Sequence, residues 1–210
     1  MKHYKTLLFD FDGTLLDTSV MHQYKEIKNR HRRYTKEWSQ DLKEYLSHIS
    51  ECLPYEGWPE VWKYLAENHI QAAIVTSNGH DVMNEAVKQF GLKDVFPKDK
   101  INRIGGKDAT GKQIWKFDGS PLLFQHTLKQ LNIEAEDAIA FGNEICDAQA
   151  ASNAGIKAYH CLWGAKDEER EQMMNDPDHP YITSPLQIID ILEETATTSP
   201  TRRKNTLRWS

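Results

Sequence analysis

The chain has 210 residues, with 39% apolar and 27% charged side chains and a formal net charge of −5. That length suits one core domain with a modest insertion, and the charge gives no whole-protein pull toward nucleic acid or an anionic membrane surface. No apolar run approaches the ~20 residues needed to cross a bilayer, and no signal-peptide layout opens the chain. Cys52, Cys146 and Cys161 show no metal-ligand spacing. The expected compartment is therefore a reducing cytoplasm, with neither nucleic acid nor membrane as partner.

The first predicted element is a buried strand, Leu7-Leu8-Phe9, ending in Asp10. Asp12 follows two residues later, and Gly13-Thr14 turns the backbone. Two carboxylates this close repel each other and lose solvation, an objection that a divalent cation between them removes. Magnesium suits such a site because it takes a few oxygen ligands and keeps waters for a phosphate. An Asx-type turn is the structural alternative for the same residues.

From residue 18 to about 53, apolar residues recur at helical spacing among many charges, which predicts two or three amphipathic helices. Leu53-Pro54-Tyr55-Glu56-Gly57 breaks that pattern. A helix over 58–68 leads to the strand 71–75, which ends in Thr76-Ser77-Asn78-Gly79, and a further helix stops at Gly91. Residues 93–118 are less regular, with a β-hairpin expected around 108–111. A helix over 121–131, a strand over 138–141, a helix over 148–154, a strand over 156–160 and a final helix over 185–192 complete the order. Residues 195–210, rich in Thr, Ser, Arg and Lys, read as a mobile tail.

Alternating strand and helix predict an α/β fold, a doubly wound parallel sheet. Ligands of such sheets bind beyond the carboxyl ends of the strands, where Asp10 and Thr76 both fall. Thr76 can offer a hydroxyl and free N–H groups to a phosphate at the start of a helix; capping that helix is the plainer role.

Asp10-Phe11-Asp12-Gly13-Thr14-Leu15-Leu16-Asp17 resembles the first signature of the haloacid dehalogenase-like hydrolases, in their phosphatase branch, and the likeness extends over about residues 5–165. It implies a Rossmann-like core over 1–17 and 54–194 with a small α-helical cap over 18–53. It also implies that Asp10 attacks phosphorus to form an aspartyl-phosphate and that Asp12 serves as general acid and then base. True dehalogenases of that family lack the second Asp, so Asp12 points to phosphorus. Thr76, with Ser77 and Asn78 beside it, resembles the second signature and would hold phosphoryl oxygens.

The family also supplies a lysine, whose usual place falls near Asp118 without the usual Lys-Pro pair. Lys116 is the nearest replacement, and Lys107 could reach in from the hairpin. The family's last motif, Gly-Asp-x-x-x-Asp, reads here Gly142-Asn143-Glu144-Ile145-Cys146-Asp147. Asn143 replaces an acid expected to bind Mg2+ and brings no charge. Asp147 compensates if i and i+4 share a helical face, with Glu144 pointing elsewhere. The implied magnesium ligands are Asp10, the carbonyl of Asp12, Asn143 and Asp147.

The resulting expectation is a magnesium-dependent phosphomonoester hydrolase acting on a small phosphorylated metabolite. A phosphomutase of the same family, and a binding or regulatory protein with weak catalysis, are the alternatives. Arg30-His31-Arg32-Arg33 reads as a solvated helix face rather than an anion contact. Cys146 reads as a packed thiol, and Trp163 as a packing residue with a possible place on the pocket wall.

Overall fold

The computed structural model describes residues 4–32, 34–77, 80–96, 103–105 and 116–197. In chain order, β1 (Thr6–Phe9) is followed by β2 (Leu16–Asp17), α1 (Lys25–Asn29), α2 (Lys36–Ser47), β3 (Leu53–Pro54) and α3 (Trp58–Glu67). Then come β4 (Gln71–Thr76), α4 (His80–Gln89), β5 (Arg103–Gly105), α5 (Leu122–Leu131), β6 (Ala138–Gly142) and α6 (Ile145–Asn153). The chain closes with β7 (Lys157–Cys161), α7 (Asp167–Met174), β8 (Tyr181–Ile182) and α8 (Gln187–Thr197).

Six strands form one sheet in the order β5-β4-β1-β6-β7-β8, every pair parallel. β1, β4 and β6 are short runs of apolar residues because both of their faces are covered. Side chains alternate between those faces. Leu7, Phe9, Ile74, Ile139 and Phe141 pack with Trp58, Val61 and Leu65 of α3 and with Ile188 and Leu192 of α8. Leu8, Ala73, Val75, Ala138 and Ala140 pack with Leu123 and Phe124 of α5 and with Ala148, Ala150 and Ala151 of α6. Burying a side chain such as Phe9, fully inside and edge-on to Trp58 at 5.2 Å between ring centres, is worth about 2–3 kcal/mol. The doubly wound expectation holds.

The chain runs outward from β1 to β4 and β5, then returns past β1 to β6, β7 and β8. The order therefore reverses beside β1, and the crevice beyond the strand tips opens there. Phe9 lies level with Ile74 and Phe141, which sets Asp10, Thr76 and Asn143 next to one another at three adjoining tips.

Between β2 and β3 the chain is helical: a 3₁₀ segment Ser19–Tyr24, α1, α2 and a second 3₁₀ segment His48–Glu51. β2 and β3 pair antiparallel and clasp the two ends of this insertion together, a ribbon absent from the sequence reading. Thr35 caps α2 through the Trp38 N–H at 3.1 Å. Arg30 and His31 are tied to Asp41, at 3.6 Å and 2.6 Å, and pin the middle of α2 to the end of α1. That part of the basic run serves the insertion itself; Arg33 lies outside the described residues.

The short edge strands β5 and β8 and the polar helix α7 were not anticipated. The expected hairpin around 108–111 falls outside the described residues, as do Lys107 and most of the tail. The last helix is longer than expected, so α8 includes Thr195, Ala196 and Thr197, assigned from sequence to the tail. Among the described residues, no helix is long and apolar enough to cross a membrane.

Candidate active site

β1 ends where the Asp10 N–H donates to the Phe141 carbonyl at 2.9 Å, one rung beyond the strand. The chain then folds back on itself: Leu15 N–H donates to Phe11 at 3.0 Å and Gly13 N–H to Leu16 at 2.9 Å. Gly13 takes a left-handed φ of +76°, and a Cβ there would overlap the Asn143 side chain. Asp12 stands exposed on this turn, its Oδ1 accepting from the Thr18 hydroxyl at 2.7 Å.

Lys116 reaches the same tip from the far side. Only 6% exposed, its ammonium donates to Asp10 Oδ1 and to the Val75 carbonyl at 3.1 Å, and lies 2.6 Å from Asp147 Oδ1. A buried ammonium needs such partners. Burial lowers its pKa, but Asp10 and Asp147 outweigh burial and hold it above the usual lysine value. Burial pushes the Asp10 carboxyl up to about 8; Lys116 opposes that rise, and Asp147 and Asp12 add to it. Lys116 therefore sits against Asp10 and Asp147 at the strand tips.

The last motif differs from its reading. α6 begins at Ile145, and Glu144 is its N-cap with extended backbone (φ −112°, ψ 149°), so Asn143 lies before the helix. The i, i+4 argument for Asn143 and Asp147 does not apply. Asp147 instead reaches back to the Glu144 N–H at 3.1 Å as half of a capping box. Gly142 is required beneath it, because a Cβ would overlap Asp147. Asn143 accepts the Thr14 hydroxyl at Oδ1 (2.8 Å) and donates Nδ2 to the Gly164 carbonyl at 3.0 Å.

A cavity of about 440 Å³ opens over these tips. Its core wall is formed by Asp10, Asp12, Thr76, Ser77, Lys116 and Glu144, and its outer wall by Met21, His22, Lys25 and Tyr45 of the helical insertion. Glu144, expected to point away, lines it; Asn143 and Asp147 are not among the lining residues. Asn78 lies outside the described residues. Cys146 also lines the cavity, but burial and then Asp147 and Glu144 push its thiol up to about 12, so it is no thiolate at neutral pH. Trp163 packs under the turn, where it and Trp58 both donate to the Thr14 carbonyl, at 2.9 and 2.8 Å.

Thr14, Thr18 and the outer-wall residues escaped the sequence reading, since isolated hydroxyls and lone cations carry no spacing signal. Glu144 did leave one: an acid three residues before Asp147 is the pattern of a capping box.

Carboxylates outnumber cations here. Among the described residues at the strand tips, Asp10, Asp12 and Asp147 gather around the Lys116 ammonium, while Glu144 is paired with Lys166 at 2.6 Å. Burial is the main cause of the raised Asp10 pKa, with Asp147 and Asp12 adding to it, and a hard divalent cation with oxygen ligands fits the donor set.

The sequence profile of the haloacid dehalogenase-like hydrolases matches residues 19–160. The chain belongs to that family. Among haloacid dehalogenase-like hydrolases it sides with the phosphatases. A pyrophosphatase PpaX of Listeria welshimeri is 26% identical over 198 residues, covering 78% of this chain and 86% of its own. The phosphoserine phosphatase of Methanocaldococcus jannaschii is 26% identical over 188 residues, covering 76% and 87%. A hydrolase of the family from Deinococcus radiodurans, solved with bound phosphate and sodium, superposes with a TM-score of 0.68 at 14% identity, over 96% of this chain and 100% of its own. At that identity the likeness is one of fold.

Proposed function

We propose that this hydrolase cleaves a small phosphate ester or pyrophosphate through an aspartyl-phosphate on Asp10, with Mg2+ as cofactor. The observation that carries the reading is Asp10 itself: a strand-tip carboxylate on the cavity wall, bonded by Lys116 and backed by further acids. Bound Mg2+ would supply positive charge between nucleophile and phosphate and draw the Asp10 pKa down. Asp10 and Glu144, acids that line the cavity, would hold it together with the backbone carbonyl of Asp12, whose side chain is left to proton transfer. Asn143 Oδ1 keeps one lone pair beyond the one that Thr14 uses.

In this account Asp10 attacks phosphorus, held in line by Lys116 on its Oδ1. Thr76 and Ser77 at the tip of β4 bind equatorial oxygens, and Lys116 offsets the charge that grows there. Asp12, exposed and oriented by Thr18, protonates the leaving oxygen and then takes a proton from the hydrolytic water. The helical insertion acts as a cap, and Lys25 and His22 on its wall favour a substrate with a second anionic group.

Release of inorganic phosphate from a panel of metabolite phosphates and pyrophosphate, with Mg2+, tests the reading. An isomerised product without free phosphate would identify a phosphomutase instead. The absence of turnover at any Mg2+ concentration would favour the binding-protein reading, which Asn143 motivates because neither end of its amide brings a charge.

A further inference from the structure

A second constellation lies behind α6, apart from the catalytic tips. Ala158 and His160 share one face of β7, the face packed with α5 and α6. His160 is fully buried there, and His179, in the loop between α7 and β8, is 8% exposed. Asp176 sits between them: its Oδ2 lies 3.0 Å from His160 Nε2 and 2.7 Å from His179 Nδ1. Its Oδ1 accepts the N–H groups of Asp178 (2.9 Å) and His179 (3.3 Å), which fixes the carboxylate.

We propose that His160 Nε2, His179 Nδ1 and Asp176 Oδ2 together bind one zinc ion, leaving a fourth position for water. The three ligand atoms lie within 4.8 Å of one another. With bonds of about 2.0–2.1 Å, the ligand atoms of tetrahedral zinc stand ~3.3 Å apart, so the two nitrogens at 3.0 and 2.7 Å from Asp176 Oδ2 would draw back from it by only a few tenths of an ångström. Two imidazoles and a carboxylate suit Zn2+ better than Mg2+ or Ca2+.

The surroundings agree. Burial opposes ionisation of Asp176, but bonds from both imidazoles and the Asp178 N–H outweigh it and hold the carboxyl well below its usual range. With the ion on Nδ1, His179 carries its proton on Nε2 and donates it to Ser152 Oγ, 2.7 Å away on α6, the outer partner that metal-bound histidines need. With the ion on Nε2, His160 carries its proton on Nδ1, a buried atom with no hydrogen-bond partner among the described residues. An open cleft of about 450 Å³ lined by Ser152, Asp178 and His179 provides the entry path. The ion would staple the 176–179 loop to β7 and, through Ser152, to the helix whose first turn carries Asp147.

Co2+ titration of the full chain, with excess Mg2+ present, tests the proposal. One equivalent should give the visible absorption of a tetrahedral Co2+ centre, displaced by Zn2+. Zn2+ at a hundredfold excess over its Kd should raise the melting temperature by about 5–10 °C. Asp176→Asn and His179→Gln should lose both signals while phosphate release stays within about twofold. A wild-type chain with neither absorption nor thermal shift would overturn the proposal and leave a hydrogen-bonded triad. A cobalt band that persists in both variants would put the ion elsewhere and overturn it equally.

Discussion

The Thr14 hydroxyl donates to Asn143 Oδ1 at 2.8 Å, and Asn143 passes its own Nδ2 to the Gly164 carbonyl at 3.0 Å. A carboxylate at position 143 would keep the first bond and turn its second oxygen against a carbonyl oxygen. Asn143→Asp should therefore bind Mg2+ more tightly and fold less stably, by about 1–3 kcal/mol for the lost donor. The Mg2+ dependence of phosphate release and a urea melt read the two effects separately. An unchanged Mg2+ requirement would show that position 143 does not meet the ion.

Glu144 lines the cavity while Asn143 does not. Glu144→Gln keeps the side chain's length and an oxygen for the α6 cap, but removes a charge. It should raise the Mg2+ concentration for half-maximal activity several-fold and lower stability by no more than ~1 kcal/mol. A variant with wild-type Mg2+ dependence would remove Glu144 from the metal's surroundings.

Lys116 holds Asp10 and Asp147 together in a site with little water. Lys116→Met leaves two buried carboxylates without their cation, at a cost of about 3–5 kcal/mol. The loss should be larger at pH 8 than at pH 5, because at the lower pH the orphaned acids can take up protons. Phosphate release should fall by roughly 10²–10³ or more. Denaturant melts at the two pH values, with a steady-state assay, check all three expectations.

The raised pKa of Asp10 sets a pH dependence with a definite sign. Unfolded aspartate ionises near pH 3.9, whereas in the fold burial, against the pull of Lys116, holds Asp10 protonated up to about 8. Between about pH 4 and pH 8 the folded chain binds the extra proton, so its stability falls as pH rises. Asp10→Asn should then melt above the wild type by a margin that widens across this window. Added Mg2+ should narrow the margin by stabilising the wild type alone. Melting curves of both proteins across that range, with and without Mg2+, check it; a margin that shrinks with pH would contradict the assignment.

What the sequence made legible follows from periodicity and from charge in unusual places. Leu7-Leu8-Phe9 and Ala72-Ala73-Ile74-Val75 are apolar on both faces, which marks strands covered from both sides. Asp10 stands out as a strand-tip acid within a motif resembling the family's first signature, and Lys116 as the cation nearest the place where that family carries a lysine. α7 went unseen because its sequence is largely acidic and only Met173 is buried, leaving no stripe to detect. β2 and β3 pair across the whole insertion, and two-residue strands carry no pattern of their own. The exchange of places between Asn143 and Glu144 turned on where α6 begins. Giving 143 and 147 one helical face extended the helix back past its start at Ile145 and gave position 143 the wrong geometry. Helix termini are the least legible part of an element, and here the metal question hung on one.

The most direct measurement of the central claim is an acid-quenched reaction with a generic aryl phosphate and Mg2+, analysed by peptide mass mapping, with Asp10→Asn alongside. The account predicts a phosphoryl group on the peptide containing Asp10 in the wild type, and neither adduct nor turnover in a folded variant. Turnover retained by Asp10→Asn, or an adduct on another residue, would contradict it.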